Sequence, residues 1–174
     1  YADLRPFFLG KRYVGADMRP GTGVDVILDL HRIELPDQTA GSVIMAEVLE
    51  HVEFPRKALA EVCRVMKPGG TLVMTSLMNY PIHDYPSDYW RYTPEGFRSL
   101  LKNFESSLVG WAGDDLFPHM VFAVAFRGPL PDAAVADYQR RLPEFKRRWR
   151  RVSGDWAQNA IYKWKSRLWP LVPQ

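Results

Sequence analysis

The stretch Ser42–Ser76, SVIMAEVLEHVEFPRKALAEVCRVMKPGGTLVMTS, constrains the fold more than any other part of the chain. It reads as an apolar strand over Ser42–Val48, a polar turn over Glu47–Glu53, a helix opening at Pro55, a Pro68-Gly69-Gly70 turn and a second apolar strand over Thr71–Ser76. Leu59, Val62, Cys63 and Met66 mark one face of the helix. Pro55 suits the first helical position, where its missing N–H removes no intrahelical bond. A strand–helix–strand unit of this length builds a parallel sheet, so the chain is of the α/β class. Open α/β sheets bind their ligands at the carboxyl ends of the strands, which puts Glu47–Glu53 on the floor of the expected cleft.

The flanking segments extend this pattern. Ala2–Leu9 is helix-capable and is ended by Gly10. Short strands are expected over Lys11–Ala16, closed by Asp17, and over Val24–Leu28, closed by Asp29, with the turn-rich Met18–Gly23 between them. Thr93 reads as an N-cap before Pro94, and Phe97, Leu100, Leu101 and Phe104 form a helical stripe. Ser107–Trp111 and His119–Phe126 form a closing pair of strands whose short connection fits antiparallel pairing.

From Asp132 the pattern changes. Val135, Tyr138, Leu142, Phe145, Trp149 and Val152 follow a heptad-like spacing, with a kink or break expected at Pro143. Trp156, Ala160, Trp164 and Leu168 continue at intervals of four after Gly154. The net charge of +3 divides into −3 over residues 1–131 and +6 over residues 132–174. The expected organisation is therefore an α/β domain over residues 1–131 and a basic, tryptophan-rich helical tail over residues 132–174. Such a tail suits packing on its own domain, an oligomer contact, or a peripheral contact with an anionic membrane surface. The single cysteine excludes a disulfide framework and points to a reducing, cytoplasmic setting; the inner membrane surface is the alternative address for the tail. No apolar run approaches the ~18 residues needed to span a bilayer.

Two motifs add a resemblance. Val48-Leu49-Glu50-His51-Val52 and Arg64-Val65-Met66-Lys67-Pro68-Gly69-Gly70 resemble the fourth-strand, helix and fifth-strand block of the class I S-adenosylmethionine-dependent methyltransferases, of the type-11 subgroup. That resemblance implies a Rossmann-like, seven-stranded sheet. It covers roughly residues 1–126 and does not include the family's first strand with its D-x-G-x-G turn. The chain opens on YADLRPFF, which is similar to the helix after that turn, so a sheet lacking its first strand is expected, with a gap between the Tyr13 and Ile44 strands. Gly21-Thr22-Gly23 follows the wrong strand to be the cofactor loop.

The resemblance also implies roles. Asp17 is expected to hold the ribose hydroxyls of S-adenosylmethionine, with Met18 beside it, because a carboxylate offers two donors only acceptors. Asp29 is expected at the adenine amino group, with Leu30 facing the ring. Ala46 and Glu47 approach the methionine part of the cofactor. Glu50 and His51 are read as shaping the turn rather than as an acid–base pair. The run His83-Asp84-Tyr85-Pro86-Ser87-Asp88-Tyr89-Trp90-Arg91-Tyr92-Thr93 is similar to one found in a subgroup connected with cell-surface polysaccharides. His83 is the expected general base and Asp88 a second catalytic candidate; Tyr85, Tyr89, Arg91 and Tyr92 are expected to bind the acceptor. An Asp88–Arg91 ion pair that merely holds the loop, with Tyr89 and Trp90 packed under it, is the competing reading. No metal is expected. The implied activity is methyl transfer to an oxygen or nitrogen of a small-molecule or glycan-type acceptor. A non-catalytic methyltransferase-like scaffold and an RNA methyltransferase using the basic tail are the alternatives, although a nucleic-acid partner is not favoured.

Overall fold

A computed structural model describes residues 3–84, 86–115 and 117–152. The elements are β1 (Ala16–Asp17), β2 (Val26–Ile27), β3 (Ala40–Ala46), α1 (Pro55–Val65), β4 (Met66–Leu77), α2 (Pro94–Leu100), β5 (Ser106–Gly113), β6 (Pro118–Phe126) and α3 (Asp132–Val152). They form two sheets: a parallel β1–β2 pair and a four-stranded sheet of order β3-β4-β6-β5. β3 and β4 are parallel, and β6 runs antiparallel to both β4 and β5. β1 and β3 are not hydrogen-bonded to each other, as the gap in the expected sheet requires.

The core lies on one face of the larger sheet. Met45, Leu72, Met74, Val121, Ala123 and Ala125 alternate inward along their strands and meet Leu59 and Val62 of α1 and Phe97 of α2. Thr93 caps α2, its hydroxyl accepting the Gly96 N–H at 3.0 Å. α1 ends at Val65, before the Pro-Gly-Gly turn expected to stop it, and β4 starts at Met66. Pro68 explains this: its ring disfavours helical backbone at Lys67 and would clash with the Arg64 carbonyl of a continuing helix. That carbonyl instead accepts the Gln38 N–H at 3.1 Å.

α3 covers part of the opposite face. Tyr138 and Phe145 pack on Phe122 of β6, and the Tyr138 hydroxyl donates to the Val109 carbonyl at 3.0 Å. A glycine is required at position 110, because a Cβ there would lie 2.6 Å from both the Phe122 ring and the Tyr138 hydroxyl. The break expected at Pro143 does not occur. The helix runs through it, with aromatic anchors on either side and the proline itself exposed. The described part of the apolar stripe is thus packed on the α/β unit. Trp156, Trp164 and Trp169 lie outside the described residues.

The N-terminal expectations contract. Ala2–Leu9 supplies only a single 3₁₀ turn, Arg5–Phe7, and the two first strands pair over two residues each. A two-stranded ribbon buries little of its surface, and Val26 and Ile27 stay 38% and 58% exposed. Side chains tie the ribbon together: the Asp25 carboxylate accepts the Gly15 N–H at 2.8 Å and pairs with Arg5. No described helix is long and apolar enough to cross a membrane.

Candidate active site

Three carboxylates stand at or just past strand ends. Asp17 closes β1, Asp29 follows β2, and Glu47 follows β3. Asp17 Oδ1 accepts the Arg19 N–H at 2.8 Å, which fixes the turn that carries the exposed Met18. Asp29 Oδ1 accepts the His31 N–H and faces the His31 ring nitrogen, each at 2.8 Å, and these contacts hold its carboxyl below the ordinary range. Leu30 leans on the core and Ala46 is exposed.

Glu47 takes a left-handed backbone, φ 53°, an arrangement of order 1–3 kcal/mol less favourable for a non-glycine residue and one that concentrates at functional sites. Its N–H donates to the Thr75 side chain at 3.1 Å, and the Thr75 hydroxyl donates back to Glu47 Oε1 at 2.6 Å. Burial raises the Glu47 carboxyl well above the ordinary range; the threonine bond opposes this, and the neighbouring Glu50 adds to it. Glu50 itself is fully buried, one oxygen accepting the Ser76 hydroxyl at 2.7 Å. Glu47 Oε2 and Glu50 Oε1 meet no donor among the described residues.

The loop after β4 is sewn onto this turn. The Tyr89 and Trp90 N–H groups donate to the Glu50 carbonyl at 2.9 and 3.2 Å, and the Trp90 indole donates to the Val52 carbonyl at 2.9 Å. Asp88 is 2% exposed and grips Arg91 with both oxygens, at 2.6 and 2.7 Å, while Oδ2 also accepts the His83 N–H at 2.8 Å. Arg91 completes the knot through the Tyr80 and Pro81 carbonyls. The guanidinium holds the Asp88 carboxyl well below the ordinary range. Arg19, two residues beyond Asp17, reaches Asp84 at 3.1 Å, so the β1 end and the loop close over the same region.

His83 stands edge-on to His51, ring centroids 4.8 Å apart, and to Tyr80 at 5.1 Å. Tyr80, Tyr89 and Trp90 each leave about two-fifths of their surface exposed, at 43%, 45% and 42%. Tyr92, expected among the acceptor contacts, packs into the core instead, 7% exposed, with its hydroxyl donating to the Leu49 carbonyl. Tyr85 lies outside the described residues. The sequence reading missed the complete burial of Glu50. The alternation of apolar residues around Ser76 in β4 was the one available sign that a polar group is sunk beneath this turn.

Residues 9–74 match the family described as a methyltransferase domain. Over that segment the chain is similar to methyltransferase domains. The chain is 34% identical over 102 residues to the demethylmenaquinone methyltransferase of Renibacterium salmoninarum, across 58% of this chain and 42% of that protein. The chain spans less than half the length of the curated relatives it matches. Among solved structures, it resembles the 1,6-didemethyltoxoflavin-N1-methyltransferase of Burkholderia thailandensis, with a TM-score of 0.59 and 13% identity over 72% of this chain and 66% of that one. It also resembles a SAM-dependent methyltransferase of Archaeoglobus fulgidus, with a TM-score of 0.53 and 16% identity over 65% of this chain and 75% of that one. At these identities the likeness establishes the fold, which is the Rossmann-like fold of class I methyltransferases.

Proposed function

We propose that the protein is an S-adenosylmethionine-dependent methyltransferase acting on a small-molecule or glycan-type acceptor. The observation that carries this reading is the placement of Asp17 and Asp29 at the carboxyl ends of the parallel pair β1–β2 and of the left-handed Glu47 just past β3, within the matched domain. In this reading Asp17 accepts from the ribose hydroxyls and Asp29 from the adenine amino group. Met18 and Leu30 flank the nucleoside, and Ala46 and Glu47 border the methionine part. The cofactor supplies an activated methyl group on a sulfonium. The protein's task is then to orient the acceptor in line with that methyl and to exclude water.

The acceptor side is the loop over residues 80–91. Tyr80, Tyr89 and Trp90 offer half-exposed rings to a flat or sugar-like molecule, and His83 supplies a lone pair. Asp88 acts through position, since both its oxygens are committed to Arg91 and His83. The curated relative, named for a small-molecule acceptor, supports the small-molecule class.

Calorimetric titration with S-adenosylmethionine tests the cofactor assignment. Asp17→Ala should weaken binding by roughly 1.5–3 kcal/mol, the scale of charge-assisted hydrogen bonds to a carboxylate. Unchanged affinity would remove Asp17 from the site.

A further inference from the structure

Glu50, His51 and His83 come together from two different segments, and one ligating atom of each lies within 4.8 Å of the others. Each is prepared to donate a lone pair. Glu50 is fully buried, and its Oε1 has no donor partner. His51 Nδ1 lies 2.7 Å from the Ser87 carbonyl, an acceptor only, so this nitrogen carries the proton and Nε2 carries the lone pair. His83 Nδ1 lies 3.2 Å from the Pro81 carbonyl and 3.3 Å from Asp88 Oδ2, with the Arg91 guanidinium farther off at 3.5 Å; the two nearer acceptors favour the proton on Nδ1 and leave the lone pair on Nε2. Histidines that bind metals characteristically donate their other N–H to a carbonyl or a carboxylate, which fixes tautomer and ring orientation.

We propose that Glu50, His51 and His83 form a binding site for a divalent transition-metal ion. The donor set selects the class. Two imidazoles with carboxylate suit Mn²⁺, Fe²⁺, Co²⁺ or Zn²⁺, whereas Mg²⁺ and Ca²⁺ favour all-oxygen shells. Three ligands at 2.0–2.2 Å from one ion lie about 3.0–3.8 Å from one another, so binding draws the widest pair of the cluster in by roughly 1 Å or more. His83 is the member on a loop, and the loop is the part able to make that movement. The consequence for catalysis rests on the function proposed above: the ion would coordinate an acceptor oxygen and lower its pKa. His83 is then a ligand rather than the base.

The test is Co²⁺ titration of the chelator-treated full chain, without cofactor or acceptor, read by visible absorption and calorimetry. One ion per chain should bind and produce d–d bands. His83→Gln, on the loop and outside the core, should weaken binding by about 100-fold or more, and Asp88→Asn, at a residue that orients His83 and grips Arg91 without being a ligand, by about 10-fold. Glu50→Gln, similar in shape to the native side chain, should also abolish the bands. Absence of stoichiometric binding would overturn the proposal, and so would Co²⁺ affinity and spectra unchanged by His83→Gln. Because no cofactor is present, failure here is distinct from failure of the S-adenosylmethionine assignment.

Discussion

Replacing Asp88 by alanine tests whether the acceptor loop is held by a buried ion pair. Removing one partner of a fully buried pair costs about 3–5 kcal/mol, because the other charge is stranded. A surface pair is worth about 0–1 kcal/mol. The Asp88–Arg91 pair stands between these limits. Asp88 is 2% exposed, but the Arg91 side chain is 25% exposed and keeps the Tyr80 and Pro81 carbonyls, at 3.2 and 2.9 Å, when the carboxylate is gone. The loss of the carboxylate also frees the His83 N–H. A destabilisation of about 2–3 kcal/mol follows. In urea unfolding followed by circular dichroism, with a slope of about 2 kcal/mol per molar, the midpoint falls by about 1–1.5 M. A double-mutant cycle with Arg91→Gln should return a coupling of about 1–3 kcal/mol. The pair's contribution is present above the ordinary Asp value of 3.8 and is lost as pH falls through the lower folded value. The gap between the wild-type protein and Asp88→Asn therefore closes on acidification below 3.8. A midpoint shift equivalent to less than about 0.5 kcal/mol, with no coupling, would refute the reasoning and place the pair with ordinary surface contacts.

Two further outcomes follow from local chemistry. Thr93→Ala removes the side-chain cap of α2 and should cost about 1 kcal/mol in the same unfolding assay. Arg64, reinforced by the Ile33 N–H, holds the Glu61 carboxyl down to about 2, so the wild-type protein should lose stability as pH falls from 4.5 towards 2. Glu61→Gln should flatten that part of the pH profile, and an unchanged profile would show that the pair does not contribute.

The elements legible in the sequence are those whose pattern is closed locally. Ser42–Ser76 carries strand, helix and strand periodicities with a proline at each decisive boundary, and the structure reproduces it to within a residue or two, except that β4 starts early at Met66. The capped α2 and the antiparallel β5–β6 pair are legible for the same reason. Strand length in β1 and β2 is not, because it depends on which neighbours share the sheet rather than on the residues themselves. Pro143 shows the same override: aromatic anchors on both sides carry the helix through a residue that would end it in isolation. In the site, chemistry was readable but burial was not. Tyr89 and Tyr92 have the same side chain, three residues apart, yet one is 45% exposed and the other 7%. Glu50 has the residue type of a surface turn and lies wholly under the loop, because Tyr89 and Trp90 hydrogen-bond across it.

The central claim is that the carboxyl ends of β1, β2 and β3 hold an S-adenosyl group, and a crystal structure with S-adenosylhomocysteine tests it most directly. The account predicts the ribose hydroxyls within hydrogen-bond distance of the Asp17 carboxylate, the adenine amino group at Asp29, and the homocysteine part beside Ala46 and Glu47. A nucleoside bound elsewhere on the molecule, or a protein that takes up none at millimolar ligand, would contradict it.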